Sequence, residues 1–138
     1  MQSSLSASAA TASERESKRQ ESLTTEAVHN SCDALSTSSV DAITAVNAYV
    51  GAFNAGGDAK AKEGAAVDAL NKSADLVGGS LSNVLSAQLH DALTAWVDSA
   101  RGVAAAISGH VSPGDFNTAI NKLNKSKDDA MNLCDAAY

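Results

Sequence analysis

The chain has 138 residues, a length that suits one domain with a buried core and is short for two. Hydrophobic residues make up 44%, proline occurs once and aromatic residues are only 4%, which excludes a disordered chain and disfavours β-sandwiches and barrels. The net charge of −6 argues against nucleic acid or an anionic membrane as the main partner, because both attract basic surfaces.

The first predicted helix follows a small, polar segment, residues 1–12, which has no periodicity and is expected to be a flexible leader. Ser13 and Glu16 match a capping box, which predicts a helix start. Neither glycine nor proline occurs from there to Gly51, and apolar or small residues recur every three or four positions. This spacing predicts helix 1 over residues 13–54.

Three further helices are predicted over residues 58–79, 87–108 and 113–137, each carrying an apolar stripe at helical spacing. Ser86 is a suitable N-cap for the third helix. Pro113, directly after a serine, suits the first turn of the fourth helix. No segment shows convincing alternation with a period of two, so the predicted fold class is all-α.

Gly78 and Gly79 are unfavourable inside a helix, each by about 1 kcal/mol relative to alanine. They can end helix 2 in a left-handed conformation, let another backbone approach closely, or act as a hinge. The serines and the asparagine that follow favour the first explanation. We therefore expect the regular helix to end near Val77, and Leu81, Val84 and Leu85 to cover the core from a loop.

Short connections predict an antiparallel, up-down-up-down four-helix bundle in which helices 1 and 4 are neighbours. Phe53 and Pro113 then lie at the same end. Cys32 precedes Phe53 by 21 residues, and Cys134 follows Pro113 by the same number. At 1.5 Å per residue both cysteines lie about 32 Å from that end, at one height on neighbouring helices. We predict a disulfide between them; the alternative is two buried thiols in a reducing cytosol.

Helix 1 is predicted to be about twice as long as its partners, so residues 13–31 extend beyond the bundle. In that stretch only Leu23, Ala27 and Val28 are suited to packing. The segment is interpreted either as a solvated helical spur, as in a stalk that leads from a membrane anchor, or as a frayed N-terminus.

Few residues suggest a catalytic, metal-binding or ligand-binding site. His29, Cys32 and Cys134, with Asp33 or Asp135, are a possible zinc set, but a disulfide beside an incidental histidine explains the same residues more simply. Trp96 is interpreted as a core anchor, and alternatively as the wall of a candidate pocket between helices. The sequence lacks the common hydrolase, metalloprotease and phosphate-loop motifs, so no catalytic residue, metal ligand or cofactor is predicted.

Residues 25–138 resemble exported or membrane-anchored helical proteins of actinobacteria, mycobacteria in particular. The resemblance is carried by the cysteine of helix 1 followed by DAITAVNAYVGAFNA, then by HDALTAWVDSARGVAAAI, and then by FNTAINKLNKSKDDAMNLC. It is one of style and layout, without a diagnostic functional motif. It implies a compartment, the cell envelope, rather than an activity.

The expected function is that of a non-catalytic, extracytoplasmic interaction module that binds a protein partner in the bacterial cell envelope. Nucleic acid is not expected as a partner, and membrane contact is expected only through a removed N-terminal anchor. The alternative is a four-helix sensor that holds a small molecule or lipid near Trp96 and the glycines of helix 2. An enzyme ranks third, because no convergent set of polar residues is evident.

The predicted disulfide is directly testable. Under non-reducing conditions the intact mass should be about 2 Da below that of the reduced protein, because two thiol hydrogens are lost. Labelling of both cysteines by a thiol reagent in unreduced, denatured protein would contradict the prediction.

Overall fold

The computed structural model describes residues 2–57 and 59–137, and it places the side chains of Arg15, Lys18, Arg19 and of residues 21–57 and 59–137. Within these residues the chain forms four helices: α1 (Gln2–Asn54), α2 (Ala59–Ser80), α3 (Ala87–Ser108) and α4 (Pro113–Ala137). The predicted all-α four-helix bundle is confirmed. The bounds of α3 and α4 coincide with those predicted, while the predicted first residue of helix 2, Asp58, lies outside the described residues.

Side-chain contacts show that α1 and α2 run antiparallel. The Ser31 hydroxyl donates to the Ser80 carbonyl oxygen at 3.0 Å. Seven residues further along α1, the Ser38 hydroxyl meets that of Ser73, which lies seven residues earlier in α2, at 2.7 Å. Residues later in α1 therefore lie beside residues correspondingly earlier in α2.

Helices α1 and α4 are joined by the predicted disulfide. Cys32 and Cys134 have an S–S distance of 2.07 Å and a Cα–Cα distance of 5.8 Å. At the other end of this helix pair, the rings of Tyr49 and Phe116 contact each other at 6.0 Å between centroids. Apart from the disulfide, α1 and α4 approach each other at far fewer places than the three pairs joined by loops.

The core consists mainly of alanine and aliphatic side chains, with one large ring at its centre. Trp96 is completely buried, as are Leu35, Leu70, Leu93 and Leu123. Alanines at helical spacing let the helices approach closely, so that few large residues are needed to fill the interior.

The N-terminal part of α1 differs from the prediction. The helix begins at Gln2 rather than near Ser13, so residues 2–12, which were expected to form a flexible leader before it, are part of α1. This segment contains alanine and serine but neither glycine nor proline, so no helix-breaking residue interrupts the extension of α1 toward the N-terminus. The capping box at Ser13 lies inside α1 and does not start it.

The boundary between the spur and the bundle is also earlier than predicted. Ala27 and Val28 are buried, Ser31 is fully buried against α2, and Leu23 is 39% exposed. The bundle therefore begins at Ala27, and the 25 residues of α1 before it extend roughly 37 Å at 1.5 Å per residue.

The expected end of helix 2 near Val77 is wrong as well. Helix α2 continues to Ser80, and Gly79 has no left-handed backbone. Val77 is completely buried, and Gly78 lies against Val97 of α3, so tertiary packing offsets the poor helix propensity of the two glycines. The loop that follows still covers the core as expected through Leu81 and Leu85, whereas Val84 is 38% exposed.

Truncation separates the spur from the bundle. A chain that starts at Ala27 should keep its free energy of unfolding within about 0.5 kcal/mol, because the described side chains before it are exposed. A chain that starts at Cys32 should lose about 2 kcal/mol or more, from the buried Val28 and the Ser31 hydrogen bond. Chemical denaturation of both chains, with the disulfide intact, measures the difference. Equal stabilities would show that residues 27–31 do not belong to the core.

The substitution Gly79→Ala should stabilise the protein by up to about 1 kcal/mol, because the added Cβ meets no atom and alanine is the better helix former. Gly56→Ala is the matched control. Gly56 has a φ of 69°, so a side chain there should cost about 1 kcal/mol or more. Denaturant melts of the two variants should shift in opposite directions, and a destabilising Gly79→Ala would contradict the helical assignment.

Candidate functional site

A cleft opens between α1 and α4 at the end of the bundle opposite the disulfide. It encloses about 360 Å³. The residues that line it come from the end of α1, the end of α3, the α3–α4 loop and the start of α4: Tyr49, Val50, Phe53, Asn54, Ala106, His110, Val111, Pro113, Phe116 and Asn117. Both phenylalanines of the chain are among them.

Three aromatic rings form the apolar wall of this cleft. Tyr49 lies between the other two, with Phe53 at 6.4 Å and a 37° tilt, and Phe116 at 6.0 Å in an edge contact. Tyr49 and Phe116 pack against the core, whereas Phe53 is 61% exposed. The Tyr49–Phe116 contact therefore joins α1 and α4 beside the cleft.

The remaining lining mixes apolar and polar side chains and carries no formal negative charge. Asn54 and Asn117 supply carboxamides, and His110 supplies an imidazole. Nε2 of His110 lies 3.1 Å from a carboxylate oxygen of Glu63, which is not among the lining residues. Among the described lining residues there is no lysine, arginine, aspartate or glutamate, so the cleft suits an occupant that needs no salt bridge.

The backbone of His110 is held in a conformation unusual for a side-chain-bearing residue. Its φ is 49°, and it occupies the left-handed position after α3. There the His110 amide donates to the Ile107 carbonyl and the Val111 amide to the Ala106 carbonyl, the hydrogen-bond pattern of a Schellman motif. Glycine is the usual residue at this position. A strained residue that lines a cleft is a common feature of binding sites.

A second, shallower hollow of about 300 Å³ lies beside the cleft, between the start of α2 and the end of α3. Its wall includes Lys60, Glu63, Asp68 and His110, so both signs of charge are present.

On the outer face of α4, outside both hollows, the hydrogen bond to Asp129 and the charge of that carboxylate raise the pKa of Lys125.

The structure places Trp96 in the core and at neither hollow. Its indole N–H donates to the Ser73 hydroxyl at 2.9 Å, and Ser73 in turn contacts the hydroxyl of Ser38. Because Ser38 donates to the Ala34 carbonyl, the Ser73 hydroxyl donates to Ser38. This chain of hydrogen bonds joins α3, α2 and α1. Trp96 is thus a satisfied core residue rather than the wall of a pocket.

The alternative zinc set is not assembled. Both cysteine sulfurs are used in the disulfide. Within the described part of the chain, no group of three or more His, Cys, Asp or Glu side chains is placed to hold a metal ion. Among the same residues, no helix has an apolar stretch long enough to cross a bilayer.

The cleft was not predicted, although the sequence carries a signal for it. Tyr49 and Phe53 lie four residues apart near the end of helix 1, and Phe116 lies near the start of helix 4. The counting that placed Phe53 and Pro113 at one end also places all three rings there, and an aromatic cluster at one end of an alanine-rich bundle indicates a surface feature.

The core hydrogen bonds generate a prediction at Ser73. Ser73→Ala should destabilise the protein by about 1–3 kcal/mol, because it leaves the buried indole N–H of Trp96 without an acceptor. Ser36→Ala, on an exposed position of α1, is the matched control and should change stability by less than about 0.5 kcal/mol. Denaturant melts measure both, and the indole proton of the single tryptophan should shift in the NMR spectrum of the first variant alone. Equal stabilities would contradict a role for this network.

Comparison with known proteins agrees with this architecture. Residues 14–135 match the family model described as the Rv2240c four-helix bundle domain. The chain is 56% identical over 135 residues to a protein of Mycobacterium tuberculosis (strain CDC 1551 / Oshkosh) described as uncharacterized protein MT2300, an alignment that covers 98% of this chain and 69% of the relative. No solved structure matches the chain. The chain therefore belongs to the Rv2240c four-helix bundle domain family.

Proposed function

We propose that this domain is a non-catalytic interaction module that acts outside the cytoplasm and binds a protein partner in the cell envelope through the aromatic cleft. The observation that carries the proposal is the concave, partly exposed aromatic surface at the open end of α1 and α4, formed by Phe53 and its neighbours. Aromatic side chains in a concave surface are the usual anchors of protein recognition.

The closed core favours this function over the alternative of a sensor with an internal ligand. Trp96 and the residues around it are fully buried, and the indole has its hydrogen-bond partner. Neither described hollow extends to Trp96 or to Gly78. The volume of the aromatic cleft is at the low end of the range for small-molecule sites.

The disulfide supports a location outside the cytoplasm. Bridges between buried cysteines persist mainly in oxidising compartments, and this one joins residues 102 positions apart. Closing such a long loop is expected to stabilise the fold by roughly 2–4 kcal/mol, a contribution that a reducing cytosol would remove. Alkylation of free thiols in acid-quenched cells of the native host tests the compartment, since labelled cysteines would contradict it.

Photocrosslinking at two positions of α1 tests the cleft itself. A benzophenone amino acid replaces Phe53 in one variant and Val40 in the other. Val40 is 59% exposed and lies roughly 20 Å from Phe53 toward the N-terminus of α1. In a mycobacterial host we expect a discrete adduct from position 53 and none from position 40.

The adduct then identifies a partner for direct measurement. Phe53→Ser should weaken binding of the purified partner by about 10-fold or more, as expected for an anchor residue, and Val40→Ser should leave it within about twofold. Unchanged affinity in the Phe53 variant, or equal adducts from both positions, would overturn the proposal.

A further inference from the structure

Resting on the proposed function, we propose that the partner inserts the side chain of a lysine or arginine into the aromatic cleft. The rings of the cleft and the charges around it specify the chemistry of this anchoring group.

The rings leave π-surface available to a cation. The two contacts of Tyr49, at 37° to Phe53 and 61° to Phe116, are not parallel stacks, so the rings do not cover one another face to face. Phe53 is the most exposed of the three. Aromatic faces carry the negative part of the ring quadrupole and attract ammonium and guanidinium groups within about 6 Å.

Helix ends add partial negative charge at the same place. The carboxyl ends of α1 and α3 both border the cleft, and neither helix has a basic residue in its last turn to offset its dipole. The amino end of α4 also borders it, but Asp115 in the first turn of α4 offsets the partial positive charge there. The carboxyl ends of α1 and α3 therefore favour a positively charged occupant, in line with the net charge of −6.

No lysine or arginine among the described lining residues competes for this position. His110 also lines the cleft, and its ring is hydrogen-bonded to the carboxylate of Glu63. The carboxamides of Asn54 and Asn117 provide neutral oxygens that accept hydrogen bonds from an ammonium or guanidinium group.

The shape favours a side chain over a compact free ion. Val50 and Val111 add aliphatic surface beside the rings, and Val111 is 39% exposed. Lysine and arginine carry long aliphatic stems that pack on such surface while the charged group reaches a polar or aromatic neighbour. An open cleft of about 360 Å³ accommodates this arrangement.

Fluorine NMR of the full chain, without a substitution in the cleft, tests the inference. Biosynthetic 4-fluorophenylalanine gives two resonances, from Phe53 and Phe116, and both report on the cleft. The probes are blocked pentapeptides with two glycines on each side of lysine, arginine or norleucine, the last of which keeps an aliphatic stem without the charge. We expect saturable shifts with lysine and arginine, and at least about fivefold weaker binding of the norleucine peptide.

Two variants control for position. Phe53→Leu keeps an apolar side chain but removes a ring, and it should weaken the lysine peptide while changing the norleucine peptide much less. Val40→Ser lies outside the cleft and should leave both affinities unchanged.

Each remaining outcome separates this inference from the proposed function. Equal binding of the lysine and norleucine peptides, with the position-53 crosslink retained, would overturn the cationic anchor and leave the cleft as an apolar docking surface. If phosphatidylcholine vesicles shift the resonances and none of the peptides does, the occupant is a lipid headgroup rather than a protein side chain, and the inference is overturned. Loss of both the peptide shifts and the crosslink would overturn the inference and the proposed function together.

Discussion

The contact between α1 and α4 is the constraint on which the rest of this structure depends. The other three neighbouring helix pairs are joined by short loops, whereas α1 and α4 are the outer segments of the chain and have no loop between them. The Cys32–Cys134 disulfide joins them covalently and brings their backbones to 5.8 Å at that level. At the far end, the rings of Tyr49 and Phe116 lie between the same two helices. One end of this helix pair is thus closed by a covalent bond, and the aromatic cleft lies at the other end.

The interior of the bundle is specified by small residues and hydroxyl groups as much as by large apolar ones. Alanines at helical spacing allow close helix packing, and buried serines supply hydrogen bonds where helices meet. The chain from Trp96 through Ser73 and Ser38 to a backbone carbonyl restricts how α1, α2 and α3 can rotate relative to one another, because each hydroxyl has one proton to donate. Among the described residues no buried side-chain nitrogen or oxygen lacks a partner.

Membership of the Rv2240c family establishes the architecture of this domain and leaves its activity to be argued from the site. The Mycobacterium tuberculosis relative is matched over 69% of its length, so most of that protein shares this bundle. At the open end of the bundle, aromatic faces, uncharged amides and two helix carboxyl ends lie together. These are the groups on which the proposed recognition of a partner depends.

Hydrophobic spacing, caps and the constant rise of an α-helix allowed the sequence by itself to determine the four helices, the bounds of α3 and α4, and the level at which Cys32 and Cys134 meet. These features depend on local geometry and on counting along single helices. The continuation of α2 through Gly78 and Gly79 was decided by the tertiary structure, because burial of Val77 and contact with Val97 outweigh the local cost of two glycines. The start of the bundle at Ala27 was decided in the same way, by the burial of Ala27 and Val28 in the folded protein. The cleft is also a tertiary property, because the residues that line it come from segments that are far apart in the sequence and that only the fold brings together.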